Sequence, residues 1–168
     1  MKIRTTRPEE LDEVMGIYAH ARQFMAEHGN PNQWGPTKWP PRELVAQDIA
    51  NKKSHVAVCD DGRIAAVFFY DFGKDIDPCY AVIDDGSWES DEPYGVVHRI
   101  ASAGIERGAG TACITWALEQ SRHLRIDTHS DNYVLQNLLA KLGFSRRGII
   151  YVHEDNDPRL AYERVLSD

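Results

Sequence analysis

Hydrophobic positions along this chain switch between a period of about 3.6 and a period of about two, and each switch marks an element. Residues 2–5 alternate as a short strand. Thr6-Arg7-Pro8-Glu9 then reads as a helix start, with a hydroxyl cap, an early proline and Glu at the third position. Leu11, Val14, Met15, Tyr18, Ala21 and Met25 follow at helical spacing and define one buried face, which Gly29-Asn30-Pro31-Asn32 brings to an end. An irregular aromatic segment with Trp34, Trp39, Pro36 and Pro40 comes next. Pro41-Arg42-Glu43 opens a second helix whose apolar residues are Leu44, Val45 and Ile49.

Two strands follow at 55–59 and 64–70, joined by the hairpin signal Asp60-Asp61-Gly62. Residues 71–93 show no period. From about Val96 to Ala103 the chain is again extended and mostly apolar, and a helix is predicted from Thr111 to about Arg122. A short strand at 124–128 precedes a helix over 132–142, where Leu135, Leu138, Leu139 and Leu142 share a face and Gly143 supplies a left-handed cap. Strands at 148–152 and 160–165 close the pattern. The order β-α-α-β-β-β-α-β-α-β-β describes a mixed sheet with helices on both faces.

Composition narrows the class without deciding the chemistry. The length of 168 residues suits one domain, and 42% hydrophobic with 27% charged residues is ordinary for a globular chain. A net charge of −7 argues against a nucleic-acid partner. The longest fully apolar run, 64–70, is far too short to span a membrane, and the first residues carry no apolar signal core. Cys59, Cys79 and Cys113 are odd in number and widely spaced, which predicts reduced thiols and a cytoplasmic location. His123, Asp127 and His129 lack a metal-binding spacing, so no metal is expected.

The chemistry concentrates in one unit: the extended run Val96-Val97-His98-Arg99-Ile100-Ala101, then Arg107-Gly108-Ala109-Gly110-Thr111-Ala112, then a helix. A strand feeding a small-residue turn into a helix presents unpaired N–H groups to an anion, here of the pyrophosphate kind. Downstream stand Asp127-x-His129-x-Asp131-Asn132 and Leu139-x-Lys141-Leu142-Gly143-Phe144. Strand alternation puts Val96, His98, Ile100 and Ser102 on one face and turns Arg99 the other way, toward an ion-pair partner.

With Arg107-x-x-Gly110-x-Ala112 matching the motif Arg/Gln-x-x-Gly-x-Gly/Ala, and with the Asn132…Leu142-Gly143-Phe144 segment behind it, the chain resembles the GCN5-related N-acetyltransferase superfamily. The resemblance implies one N-acetyltransferase domain over residues 1–168. Its α/β fold would be a mixed, mostly antiparallel sheet with a parallel central pair and helices on both faces. Acetyl-CoA would be the cosubstrate, with Gly108, Ala109, Gly110, Thr111 and Ala112 at its pyrophosphate, Arg107 touching a phosphate or merely capping the loop, and Ile100, Ala101 and Ser102 along its pantetheine. Asn132 would also reach the cofactor, and it reads equally as a helix N-cap.

The expected reaction is attack of a primary amine on the thioester. His98 is the candidate base, with a pocket or core histidine as the alternative reading. The position that commonly holds a tyrosine acid in this superfamily is Leu139 here, which leaves the acid unassigned unless Tyr133 or Tyr151 points inward. Trp34 and Trp39 are candidate walls of the acceptor pocket or ordinary packing. The acidic stretch 75–92 with Trp88 reads as a solvated loop or as an attractor for a cationic amine. The acceptor is expected to be a small amine or an amino-terminal group. The alternatives are a peptide or protein N-acetyltransferase and a non-catalytic acyl-CoA-binding or sensing module. Homodimers are common among similar proteins.

Overall fold

The helical and alternating periods both survive into three dimensions. The computed structural model describes residues 1–153 and 156–167. Its elements are β1 (Lys2–Thr5), α1 (Leu11–Glu27), α2 (Arg42–Ala50), β2 (Ser54–Val58), β3 (Ile64–Gly73), β4 (Tyr94–Ser102), α3 (Ala109–Ser121), β5 (His123–Thr128), α4 (Tyr133–Lys141), β6 (Ser145–Tyr151) and β7 (Pro158–Val165). The strands form one seven-stranded sheet in the order β1-β2-β3-β4-β5-β7-β6. The β1–β2, β2–β3, β5–β7 and β6–β7 ladders are antiparallel, and β4–β5 is parallel. This is the mixed sheet that the element order predicts, with the parallel pair that the resemblance implies.

Most boundaries shift by one to three residues from the sequence reading, and three of the differences have a visible local cause. Thr6 does not cap the first helix, because its buried hydroxyl is held 2.8 Å from that of Ser54. The helical path starts one residue later, where the Glu10 carboxylate accepts the Arg7 N–H at 2.7 Å and a two-pronged contact from Arg4 at 2.8 and 2.9 Å. Helix α3 starts two residues early, at Ala109 rather than Thr111, because Gly108 takes a φ of +83° and turns the chain there. Strand β6 begins at Ser145, and a register shift between Arg146 and Gly148 had hidden its first residues from a strict alternation.

The contacts group into two compact units that interleave along the chain: Met1–Tyr70 with His98–Trp116, and Asp71–Val97 with the chain from Ala117 onward. In the first unit, Val14, Ile17, Tyr18 and Ala21 of α1 and Val45 and Ile49 of α2 bury their stripes with Val56, Ile64 and Val67 of the sheet. Each such aliphatic side chain contributes roughly 1.5–3 kcal/mol of burial. In the second unit Tyr80, Leu124, Ile126, Leu139 and Ile150 are fully buried, and so is Glu163. Gly143, at φ +81°, ends α4 as expected: its N–H is donated to Ala140 and that of Phe144 to Leu139, at 3.1 and 3.0 Å.

Candidate active site

The small-residue turn is where the chain offers main-chain donors. Ala112 N–H is donated to the Gly108 carbonyl at 2.9 Å, the first hydrogen bond of α3. Gly108 is therefore the cap position, and Ala109, Gly110 and Thr111 form the opening turn, whose N–H groups have no partner within the helix. Ala112 was expected to donate to an anion; its N–H is instead used inside the helix, and its small side chain is what it lends to the site. The Arg107 side chain, Gly108 and Thr111 are exposed, while Ala109 is buried. A thirteen-residue helix places a partial positive charge at this end. The turn thus has the donor set, the small side chains and the exposure that a phosphate group requires.

Strand β4 leads into this turn and is interrupted on the way. Arg99 has a φ of +51°, a left-handed conformation in the middle of a strand. The parallel ladder to β5 runs over Gly95↔Leu124 and Val96↔Arg125, upstream of that residue. Downstream, Ala103 N–H is donated to the Ala65 carbonyl at 2.8 Å, so Ile100–Ser102 stay next to β3. Ala101 is buried, Ile100 is half-buried and Ser102 is exposed, with its hydroxyl accepting from Gly104 N–H at 3.2 Å.

The interruption overturns the simple alternation. His98 and Arg99 were expected on opposite faces, yet both lie against the Phe69 ring: the His98 imidazole is 5.8 Å from its centroid and the Arg99 guanidinium 4.5 Å. Arg99 does find an ion-pair partner. Its Nε and one terminal nitrogen grip the Asp48 carboxylate at 3.0 Å each. Burial pushes the Asp48 carboxyl above the ordinary range, with Arg99 pulling the other way. Asp48 was missed in the sequence, although a carboxylate between Val45 and Ile49 on a buried stripe is itself a signal.

Trp34 is 7% exposed and packs edge-on to Tyr18 within the hydrophobic core, so little of its surface remains for a ligand. Trp39 is half-buried against the same cluster, and its carbonyl accepts from Arg22 at 3.1 Å.

In the second unit, the Asn132 side chain accepts from Leu135 N–H at 3.1 Å and caps α4, which establishes the capping half of its expected role. Leu139 is a core residue with no exposure. Tyr133 and Tyr151 are 63% and 42% exposed, so neither turns inward as an acid would have to. The Trp88 face does not await an external cation, because Arg125 sits between Trp88 and Tyr94, 4.1 Å from each ring. His123, Asp127 and His129 have separate partners: Glu163, the Tyr80 hydroxyl and Asp131 N–H. Among the described residues, no group of three His, Cys, Asp or Glu side chains is arranged to hold a metal ion. None of the described helices is long and apolar enough to cross a membrane.

No protein-family model and no curated protein sequence matches the chain. Solved structures do match it. A GNAT-family acetyltransferase from Streptococcus agalactiae 2603 aligns with a TM-score of 0.87 and 29% identity, covering 99% of this chain and 96% of that one. The chain belongs to the GCN5-related N-acetyltransferase superfamily. More distant GNAT structures share its fold. One is a ribosomal-protein-alanine N-acetyltransferase from Brucella melitensis, with TM-score 0.62 and 17% identity over 99% of this chain and 100% of that one. Another is a GNAT superfamily phosphinothricin acetyltransferase from Sinorhizobium meliloti in complex with AcCoA, with TM-score 0.64 and 12% identity over 99% and 88%. The matched motif, Arg107-x-x-Gly110-x-Ala112, falls on the turn that opens α3.

Proposed function

We propose that this GNAT chain is an acyl-CoA-dependent N-acetyltransferase, moving the acetyl group of acetyl-CoA to a primary amine on a small molecule or at an amino terminus. The observation that carries the reading is the full-length similarity to the Streptococcus agalactiae GNAT acetyltransferase. The opening turn of α3 supports it, because three helix N–H groups flanked by small residues suit a pyrophosphate. In this reading Gly108–Thr111 hold the diphosphate with Arg107 beside it. The main chain of Ile100–Ser102 pairs with the peptide-like pantetheine, and Asn132 also contacts the cofactor.

Acetyl-CoA supplies a thioester carbonyl activated toward nitrogen nucleophiles. The acceptor ammonium gives up one proton, for which His98 is the base; the amine nitrogen then bonds to the carbonyl carbon, the carbon–sulfur bond breaks, and the second proton lost from the nitrogen ends on the departing thiolate, leaving the amide and the free thiol of CoA. No side chain is assigned as the acid that protonates this thiolate.

The test is thiol release from acetyl-CoA against a panel of amines, polyamines, amino acids and peptides, with thermal stabilisation by acetyl-CoA as the binding control. Turnover on a small amine or an amino-terminal group is the expected result, and turnover confined to internal lysines of proteins would move the acceptor class. One observation favours a second reading, a non-catalytic acyl-CoA-binding module: the usual acid position is the fully buried Leu139. Stabilisation by acetyl-CoA without thiol release on any amine would establish that module. Absence of any stabilisation would overturn both.

A further inference from the structure

The left-handed residue inside β4 is an arginine, and such a conformation is disfavoured for any side chain other than glycine, with Asn and Asp next. It persists only where surrounding contacts over-determine it. Those contacts are specific here. The guanidinium is gripped at two points by Asp48 from the buried stripe of α2, at 3.0 Å each, and its face covers Phe69 of β3 at 4.5 Å. The pair is nearly sealed from solvent, with the Arg99 and Asp48 side chains 12% and 7% exposed. A planar guanidinium fixed at both ends of its fork has no freedom to swing, so its own Cα is held in turn. The three residues that follow are Ile100, Ala101 and Ser102.

We propose that Asp48 and Arg99 are a positioning pair for acyl-CoA: Asp48 locks Arg99 in the left-handed conformation, and this irregularity sets the direction of the main-chain groups of Ile100–Ser102 that take the pantetheine. The proposal deepens the acyl-CoA reading and rests on it for the ligand, while the backbone lock itself is measurable with no ligand present. Neither residue touches the reacting atoms.

Three substitutions separate a lock from ordinary packing. Arg99→Ala removes the guanidinium and leaves a residue that resists φ +51°. Arg99→Gly removes the same guanidinium and accepts that φ freely. Asp48→Asn keeps the size of the carboxylate partner and removes its charge. Amide hydrogen exchange at Ile100–Ser102, measured without ligand, is expected to accelerate about tenfold or more in Arg99→Ala and Asp48→Asn and to stay near wild type in Arg99→Gly. The dissociation constant for acetyl-CoA should follow the same order. It should rise about tenfold in the first two variants and at most about threefold in Arg99→Gly, with kcat at saturating acetyl-CoA changing far less than KM.

Equal loss in Arg99→Gly and Arg99→Ala would overturn the lock, because the arginine would then act through packing or charge. Should Arg99→Ala not fold, Asp48→Asn against Arg99→Gly carries the same comparison. A wild-type chain that does not bind acetyl-CoA refutes the ligand half alone, and the exchange pattern still decides the lock.

Discussion

Replacing Glu163 with glutamine tests a buried charge that faces four partners. Its carboxylate is 0% exposed and accepts the Glu89 N–H at 2.6 Å. It also meets His123 Nε2 at 2.5 Å, Arg125 Nε at 3.3 Å and Arg147 Nε at 3.5 Å. Glutamine keeps the shape but leaves Arg125 buried without a counter-charge and turns an N–H₂ toward groups that themselves donate. Removing one partner of a buried ion pair costs about 3–5 kcal/mol, because the remaining charge stays desolvated. For a chain of 168 residues, each kcal/mol moves Tm by about 2–4 °C, so the loss at pH 7 should be roughly 10 °C.

The pH dependence identifies the charge as the cause. Burial would raise the Glu163 carboxyl, but the His123 hydrogen bond, the Glu89 N–H and the Arg125 charge outweigh it and hold it below its ordinary value. A lowered acid pKa stabilises the fold in full above the unfolded value, about 4.3, and the contribution is lost as pH falls through the folded value. Differential scanning calorimetry of wild type and Glu163→Gln from pH 7 down to about pH 3 should therefore show a wide Tm gap that closes in acid. A gap below about 2 °C at pH 7, or one that does not narrow with acidification, would refute the reasoning.

Other substitutions test separate points. At Gly86 a Cβ would stand 1.8 Å from the Arg147 carbonyl oxygen, so Gly86→Ala should cost about 1–3 kcal/mol, read by chemical denaturation. Leu139 has no exposure, and Leu139→Ala should cost about 2–5 kcal/mol by the same assay; a cost near zero would mean that it is not core. His98→Ala should lower kcat about 100-fold or more and abolish the acidic limb of the kcat/KM profile, and an unchanged profile removes His98 from the mechanism.

What could be read in the sequence follows from how local each cause is. Helices α1 and α4 are legible because burial selects side chains three and four positions apart, and the end of α4 is legible because Gly143 alone tolerates its φ of +81°. The pyrophosphate turn is legible for the same kind of reason, since Gly108 and Gly110 mark it within six residues. The face of Arg99 is not. Strand alternation assigns it by counting, whereas the partner that fixes its backbone lies 51 positions earlier on α2. Glu163 is equally opaque, with partners 38, 40 and 74 positions away.

A trace of these pairs was nonetheless present. Asp48 stands beside Val45 and Ile49 on a buried helical stripe, Arg125 stands between Leu124 and Ile126, and Arg99 and Glu163 stand inside strands next to Ile100 and Tyr162. A charge in such a setting is seldom buried alone, so each of the four announces that it has a partner. Two acids and two arginines admit two ways of pairing, and nothing local separates them. The strand order decides. Arg99 lies on β4 beside β3, and Asp48 belongs to the same compact unit, whereas Arg125 and Glu163 are register partners across the β5–β7 ladder. Local pattern therefore states that a buried charge must be matched, and topology states with which. The assignment of Asp48 to Arg99 rests on the second of these, and the exchange rates of Ile100–Ser102 test whether that match holds the backbone.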